Sequence, residues 1–242
     1  KIGLSALAGS LAMFSVNADI GISGSSELTY TSGSGSSGSN SVNGNPFAMS
    51  HDINITGTGE LDNGFTYSVN TNFAGQDMAT DSSIFKLDMG DLGTLGFDQG
   101  SGAFGISTLE NKVPTAYEEA DHGVGTLGHG IDAVGNTNVI GYSNTLAGVS
   151  ISLQYNPDIN TQTYRQAGTT NGAGSTGSNW NGALSMAVPG VDGMTLAVGY
   201  SDTDNDGTVT DNSEVTAALN YTMGSVSVGY QQSSVNNNGG ST

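Results

Sequence analysis

The stretch Asn138-Val-Ile-Gly-Tyr-Ser-Asn-Thr-Leu-Ala-Gly-Val-Ser-Ile-Ser-Leu-Gln-Tyr155 reads as two strands folded about a tight turn. Ile140 and Tyr142 share one parity before the turn. Val149, Ile151, Leu153 and Tyr155 share one after it, interleaved with Ser150, Ser152 and Gln154. Successive side chains of a strand point to opposite faces, so this period of two makes one face apolar and the other polar. Leu146-Ala147-Gly148 supplies the reversal, with a glycine free to take a positive φ.

The same alternation extends in both directions. Upstream it carries Ile20, Ile22, Leu28 and Tyr30; Phe47, Met49, His51, Ile53, Ile55 and Leu61; Phe65, Tyr67, Val69 and Phe73; Phe85, Leu87 and Met89; Leu95 and Phe97. Downstream it carries Trp180, Leu184, Met186 and Val188; Met194, Leu196, Val198 and Tyr200; Val215, Ala217, Leu219 and Tyr221; Val226, Val228 and Tyr230. These runs predict 11 strands. The opposite parity is small or polar, as in Ser68, Asn70 and Asn72 or Thr195, Ala197 and Gly199.

A soluble sandwich also alternates, so the connections decide between architectures. Asp62-Asn63-Gly64, Gly90-Asp91-Leu92-Gly93, Leu146-Ala147-Gly148, Gly190-Val191-Asp192-Gly193 and Met223-Gly224 are tight. Residues 33–45, 74–81, 101–136, 156–178 and 201–212 form the long connections between them. Strict alternation of short turns and long loops is the rule of a transmembrane barrel, and a sandwich with crossovers has no reason to follow it. Aromatic residues agree. Tyr30, Phe73, Tyr155, Tyr200 and Tyr230 end strands on the long-loop side, where Phe47 and Trp180 begin others, and Phe65 and Tyr221 lie at the short-turn side. Two such belts are expected where a barrel meets the two membrane interfaces.

Composition narrows the function. The formal net charge is −18, and Lys1, Lys86, Lys112 and Arg165 are the only strong cations. Nucleic acid is excluded as a partner, because its binding depends on Lys and Arg at the phosphates. The absence of Cys excludes disulfides, thiolate metal sites and a Cys nucleophile. Lys1, the apolar run Ile2 to Phe14 and the small residues of Val16-Asn17-Ala18 read as a signal peptide over 1–18, with the mature chain beginning at Asp19.

Three stretches resemble the general porins of the Gram-negative outer membrane: Gly59-Glu-Leu-Asp-Asn-Gly-Phe-Thr-Tyr67, Phe85-Lys-Leu-Asp-Met-Gly-Asp-Leu-Gly-Thr-Leu-Gly-Phe97, and the 138–155 hairpin. Their order and spacing carry the resemblance across nearly the whole of residues 19–242. It implies an all-β, antiparallel barrel of roughly 16 strands, assembled as a homotrimer, with a long third loop folded into the pore. Residues 101–136 fall at that loop and contain Glu110, Glu118, Glu119 and Asp121. In the family such loop carboxylates face a basic wall. Here Lys86 is the one clear lumen-parity cation, with Asp98 on the same face of the next strand. A carboxylate-lined lumen without that wall predicts cation preference. The polar stretch 236–242 follows an upward strand, and a barrel needs its edges paired, so a truncated barrel lacking its last strands is expected.

Other motifs weigh less. Gly-x-Gly-x-x-Gly occurs at 33–38, 100–105, 123–128 and 172–177, none of them opening a helix in a strand–helix–strand unit, so no dinucleotide site is expected. Asp202-Thr-Asp204-Asn-Asp206-Gly207 matches the start of a calcium loop but lacks the Glu at the twelfth position. Asp202, Asp204 and Asp206 are thus candidate calcium ligands. His122 and His129 offer no third metal ligand, and no nucleophile set points to an enzyme. The sequence therefore predicts a passive channel for ions and small hydrophilic solutes in the outer-membrane lipid, needing no cofactor. The rival reading is a secreted calcium-binding structural or adhesive surface β-protein.

Overall fold

The computed structural model describes residues 19–30, 47–75, 77–110, 112–114, 137–159, 177–205 and 211–237. The expected signal peptide, residues 1–18, lies outside the described residues, as do most of the long connections. Eleven strands follow one another: β1 (Asp19–Tyr30), β2 (Phe47–Glu60), β3 (Thr66–Ala74), β4 (Ala79–Asp88), β5 (Thr94–Gln99), β6 (Thr137–Leu146), β7 (Val149–Asn156), β8 (Gly177–Ala187), β9 (Met194–Asn205), β10 (Asn212–Met223) and β11 (Val226–Asn237). They form one antiparallel sheet in sequence order, each strand hydrogen-bonded to its chain neighbours, and the edges β1 and β11 are not paired with each other.

Local chemistry sets each hairpin. Between β6 and β7 the reversal takes only Ala147 (φ 51°) and Gly148 (φ 82°). Positive φ at both central positions matches the right-handed twist of the flanking strands. Leu146 therefore faces Val149, and every outward residue of β6 meets an outward residue of β7, Tyr142 with Leu153 and Ile140 with Tyr155. A one-residue slip would turn both rows to the wrong face.

Polarity is inverted relative to a soluble domain. Ile20, Ile22, Leu28, Leu153, Trp180, Val215 and Tyr230 are all exposed on the outward face. Rings meet along the same face, Tyr30 with Phe47 and Trp180 with Tyr200, each pair at 5.3 Å between centroids. Residues buried on the inner face are largely polar, among them Gln154, Asn156, Asn179, Asn181, Ser201, Thr203, Glu214 and Thr216.

Three predicted boundaries move. The connection expected over 74–81 shrinks to residues 75–78, because Ala79 and Thr80 continue the pairing of β4 with β3 past a register shift at Asn72/Phe73. The connection expected over 201–212 shrinks to 206–211, and β11 runs on to Asn237 instead of ending in loop at 236. In each case polar residues extend a ladder held by backbone hydrogen bonds, which a hydrophobic period does not register.

Candidate functional site

The chain after β5 does not stay at the barrel rim. It turns inward and lies across the inner face of the sheet from β5 to β11. The turn is made by Gly100, Gly102 and Gly105, with φ of 95°, 66° and 66°. All three glycines of this Gly-x-Gly-x-x-Gly run thus stand where a Cβ is strained. Asp98 fixes the path. It is fully buried, and its two carboxylate oxygens accept hydrogen bonds from the backbone N–H groups of Ser101 (2.8 Å) and Ala103 (3.0 Å). Asp98 was expected to line the pore, and the structure instead places it under the loop as an anchor.

A short 3-10 helix, Gly105–Leu109, follows. The apolar residues Phe104, Ile106 and Leu109 are almost wholly buried, although they belong to no strand. Their floor is made of small inner-face residues. Phe104 covers Gly96 of β5 and Gly141 of β6, and a methyl group added to either glycine would fall within its ring. A Cβ at Gly199 would come within 2.6 Å of Ile106 and 2.9 Å of Leu109. Leu109 also packs with Ala183, Ala197 and Ala218. Burial of these three large side chains is the main apolar contact on the inner face, worth roughly 1.5–3 kcal/mol for each side chain removed from water.

Polar side chains take up the loop backbone. Ser152 Oγ accepts from Gly105 N–H and Asn181 Oδ1 from Ile106 N–H, both at 2.8 Å. Asn181 is itself held by Asn179, which donates to Ser201 and Thr203. Farther along, Gln231 donates to the Leu109 carbonyl at 2.7 Å and Asn220 to the Lys112 carbonyl. Val113 and Pro114 lie against Gly229 of β11.

A family model described as "Gram-negative porin" matches residues 3–242. The chain belongs to the Gram-negative porin family. Solved porins share its fold. One, refined at 1.8 Å, superposes with a TM-score of 0.60 at 14% identity, over 89% of this chain and 67% of its own. A mutant of the Rh. blastica porin superposes with a TM-score of 0.50 at 20% identity, over 91% of this chain and 86% of its own. No curated protein matches. The fold is thus that of the antiparallel porin barrel, and this porin resides in the bacterial outer membrane.

The remaining predicted site residues sort by position. Lys86 of β4 faces inward, with its Nζ 5.7 Å from the centroid of the Phe104 ring, inside the range of a cation–π contact. It lines an open inner groove of about 410 Å³ together with Glu60 and Asp88. Glu110 ends the 3-10 helix and is exposed. Glu118, Glu119 and Asp121 lie outside the described residues. Strands β1 and β2 contribute inward Asp19, Glu27, Asp52 and Glu60, and no Lys or Arg occurs between residues 19 and 85. Asp202 and Asp204 were expected in a loop. They stand instead two residues apart on the outward parity of β9, past Tyr200, whose hydroxyl lies 3.4 Å from Asp202. Asp206 lies outside the described residues, and no group of three or more metal-binding side chains occurs among the described ones.

The strand periodicity does not single out Phe104, Ile106 and Leu109 or their partners Gly141, Asn181 and Gln231. One signal was available. These three apolar residues fit no strand parity, while the inner parity of β8 to β10 is unusually small at Ala183, Ala197, Gly199 and Ala218.

Proposed function

We propose that this porin is a passive, cation-preferring diffusion channel for ions and small hydrophilic solutes, working as a homotrimer. The observation that carries the reading is the inverted polarity of the sheet combined with a loop glued to its inner face. Apolar side chains face out, where lipid replaces water, and the largely polar inner face holds the described part of the loop. Passage through such a lumen involves no bond making, so the family's channel role needs no catalytic group.

Cation preference is supported by the inner-face carboxylates of β1 to β4 and by the single strand cation, Lys86, that accompanies them. A low-dielectric wall with one sign of charge concentrates counter-ions in the lumen. The adhesive-surface reading fits less well, since it would leave the outward apolar rows of the sheet in water from one edge, at Ile20, Ile22 and Leu28 of β1, to the other, at Val226 and Val228 of β11. Calcium binding would rest on Asp202, Asp204 and Asp206. Isothermal titration with calcium chloride decides it, and absence of saturable heat ends it.

The deciding experiment is a planar bilayer under a potassium chloride gradient. The expected result is ohmic conductance with a reversal potential of cation-selective sign. Absence of conductance refutes the channel, and anion-selective reversal refutes the role of the carboxylates. Sedimentation in detergent tests the trimer, and a monomeric mass refutes it.

A further inference from the structure

We propose that a notch on the outward face of β7 to β9 seats one acyl chain of an outer-membrane lipid. It opens where Gly182 interrupts the outward row of β8 between Trp180 and Leu184. In the register of the sheet, Gly182 stands beside Leu153 of β7 and Tyr200 of β9, and Leu184 stands beside Val198. The missing side chain leaves a groove of about 370 Å³ whose walls are almost entirely apolar.

Walls distinguish this position from the outward-facing glycines of β2. Gly57 has no neighbour within 4 Å of where its Cβ would lie, so it has no walls, and the space over Gly59 is taken by the Tyr67 ring. At Gly182 the Leu153 Cδ2 methyl stands 3.0 Å from that position. The upper end is lined by the Trp180 and Tyr200 rings, tilted at 49° with centroids 5.3 Å apart. Beyond them Tyr200 reaches Asp202, which marks the polar boundary. The groove therefore runs from the aromatic rim on the long-loop side into the apolar band.

That direction and lining select the occupant. The groove is continuous with the belt that faces the bilayer, so the medium beside it is hydrocarbon. A peptide segment laid there would find no partners for its N–H and C=O groups, whereas a methylene chain needs none. A chain that enters at the rim and runs inward has the orientation of a lipid in the leaflet on the long-loop side, with its headgroup level with the aromatic belt.

Trp180 is the sole tryptophan of the chain and forms one wall of the groove, so it reports occupancy directly. The full chain is reconstituted into phosphatidylcholine vesicles containing rising fractions of phosphatidylcholine brominated either near the headgroup end or near the end of its acyl chains. Trp180 fluorescence should be quenched more by the shallow bromines, at a bromolipid fraction below that expected for random mixing. Gly182→Leu, which fills the notch, should raise the fraction needed for half-quenching severalfold. Leu153→Ala, which widens it, should lower that fraction, and this variant keeps the test open if the leucine variant does not fold. Unchanged quenching curves in folded variants overturn the proposal. So does the absence of quenching at either depth, which would place Trp180 against protein instead of lipid. Conductance of the same preparations reports the channel reading separately.

Discussion

Gly141→Ala is the sharpest test of how the inner loop is held. The methyl group would fall within the Phe104 ring and against its Cβ, so rotating the ring does not relieve the clash and Phe104 must leave its seat. Phe104 is 1% exposed, and removing a fully buried Phe contact costs about 3–5 kcal/mol. The bonds from Gly105 N–H to Ser152 and from Ile106 N–H to Asn181 follow directly in the chain, at about 1 kcal/mol each if they open with it. A loss of about 3 kcal/mol alone shifts the ratio of docked to undocked loop roughly a hundredfold, at about 1.4 kcal/mol per decade. The sheet itself should survive, because Gly141 pairs with Gly96 and Gln154 through its backbone. Single-channel recording should show a larger mean conductance and excess open-channel noise, with unchanged far-ultraviolet circular dichroism. Gly57→Ala is the internal control, since a methyl group there meets nothing within 4 Å. A quiet, wild-type-sized conductance in folded Gly141→Ala refutes the reasoning.

Other outcomes follow from the same geometry. Asp98→Ala should increase conductance noise more than Asp98→Asn, because Asn keeps one oxygen for Ser101 or Ala103, and each bond to a charged acceptor is worth about 1.5–3 kcal/mol; equal noise in the two variants counts against Asp98 as the anchor. Lys86→Gln should move the reversal potential further in the cation direction, and an unchanged potential would remove Lys86 from the ion path. Raising the salt from 0.1 M to 1 M shortens the Debye length from about 10 Å to about 3 Å. Cation preference set by the inward carboxylates of β1 and β2 should therefore fall over that range, and a constant permeability ratio measured by reversal potential would contradict a lumen field as its source.

The strands and tight turns were legible in the sequence because both are local. Val149, Ile151, Leu153 and Tyr155 declare their face by parity alone, and Ala147-Gly148 declares its turn by conformational preference. Strand ends were legible only where apolar residues continued, so the polar extensions Ala79-Thr80 and Ser201–Asn205 passed for loop. The loop's seat was not legible, for a different reason. Gly141 belongs to a strand but Phe104 to none, and nothing in a period of two says what lies over a small residue on the inner face. Asp98 shows the same limit, since parity gave its direction correctly and its burial depends on a loop that parity does not describe.

The hydrogen bond from Gln231 to Leu109 spans 122 residues, and that from Asn220 to Lys112 spans 108. Every pairing in the sheet joins chain neighbours, so each hairpin can close as soon as its own two strands exist. The seating of the loop cannot: among the described residues its last two fastenings lie on β10 and β11, and closing so long a loop is entropically costly until those strands are laid down. Full seating of the loop is thus a late event in the molecule's assembly, and until it occurs Phe104, Ile106 and Leu109 are open to water. A nascent chain halted before β10 should be a wider and stickier object than the finished one.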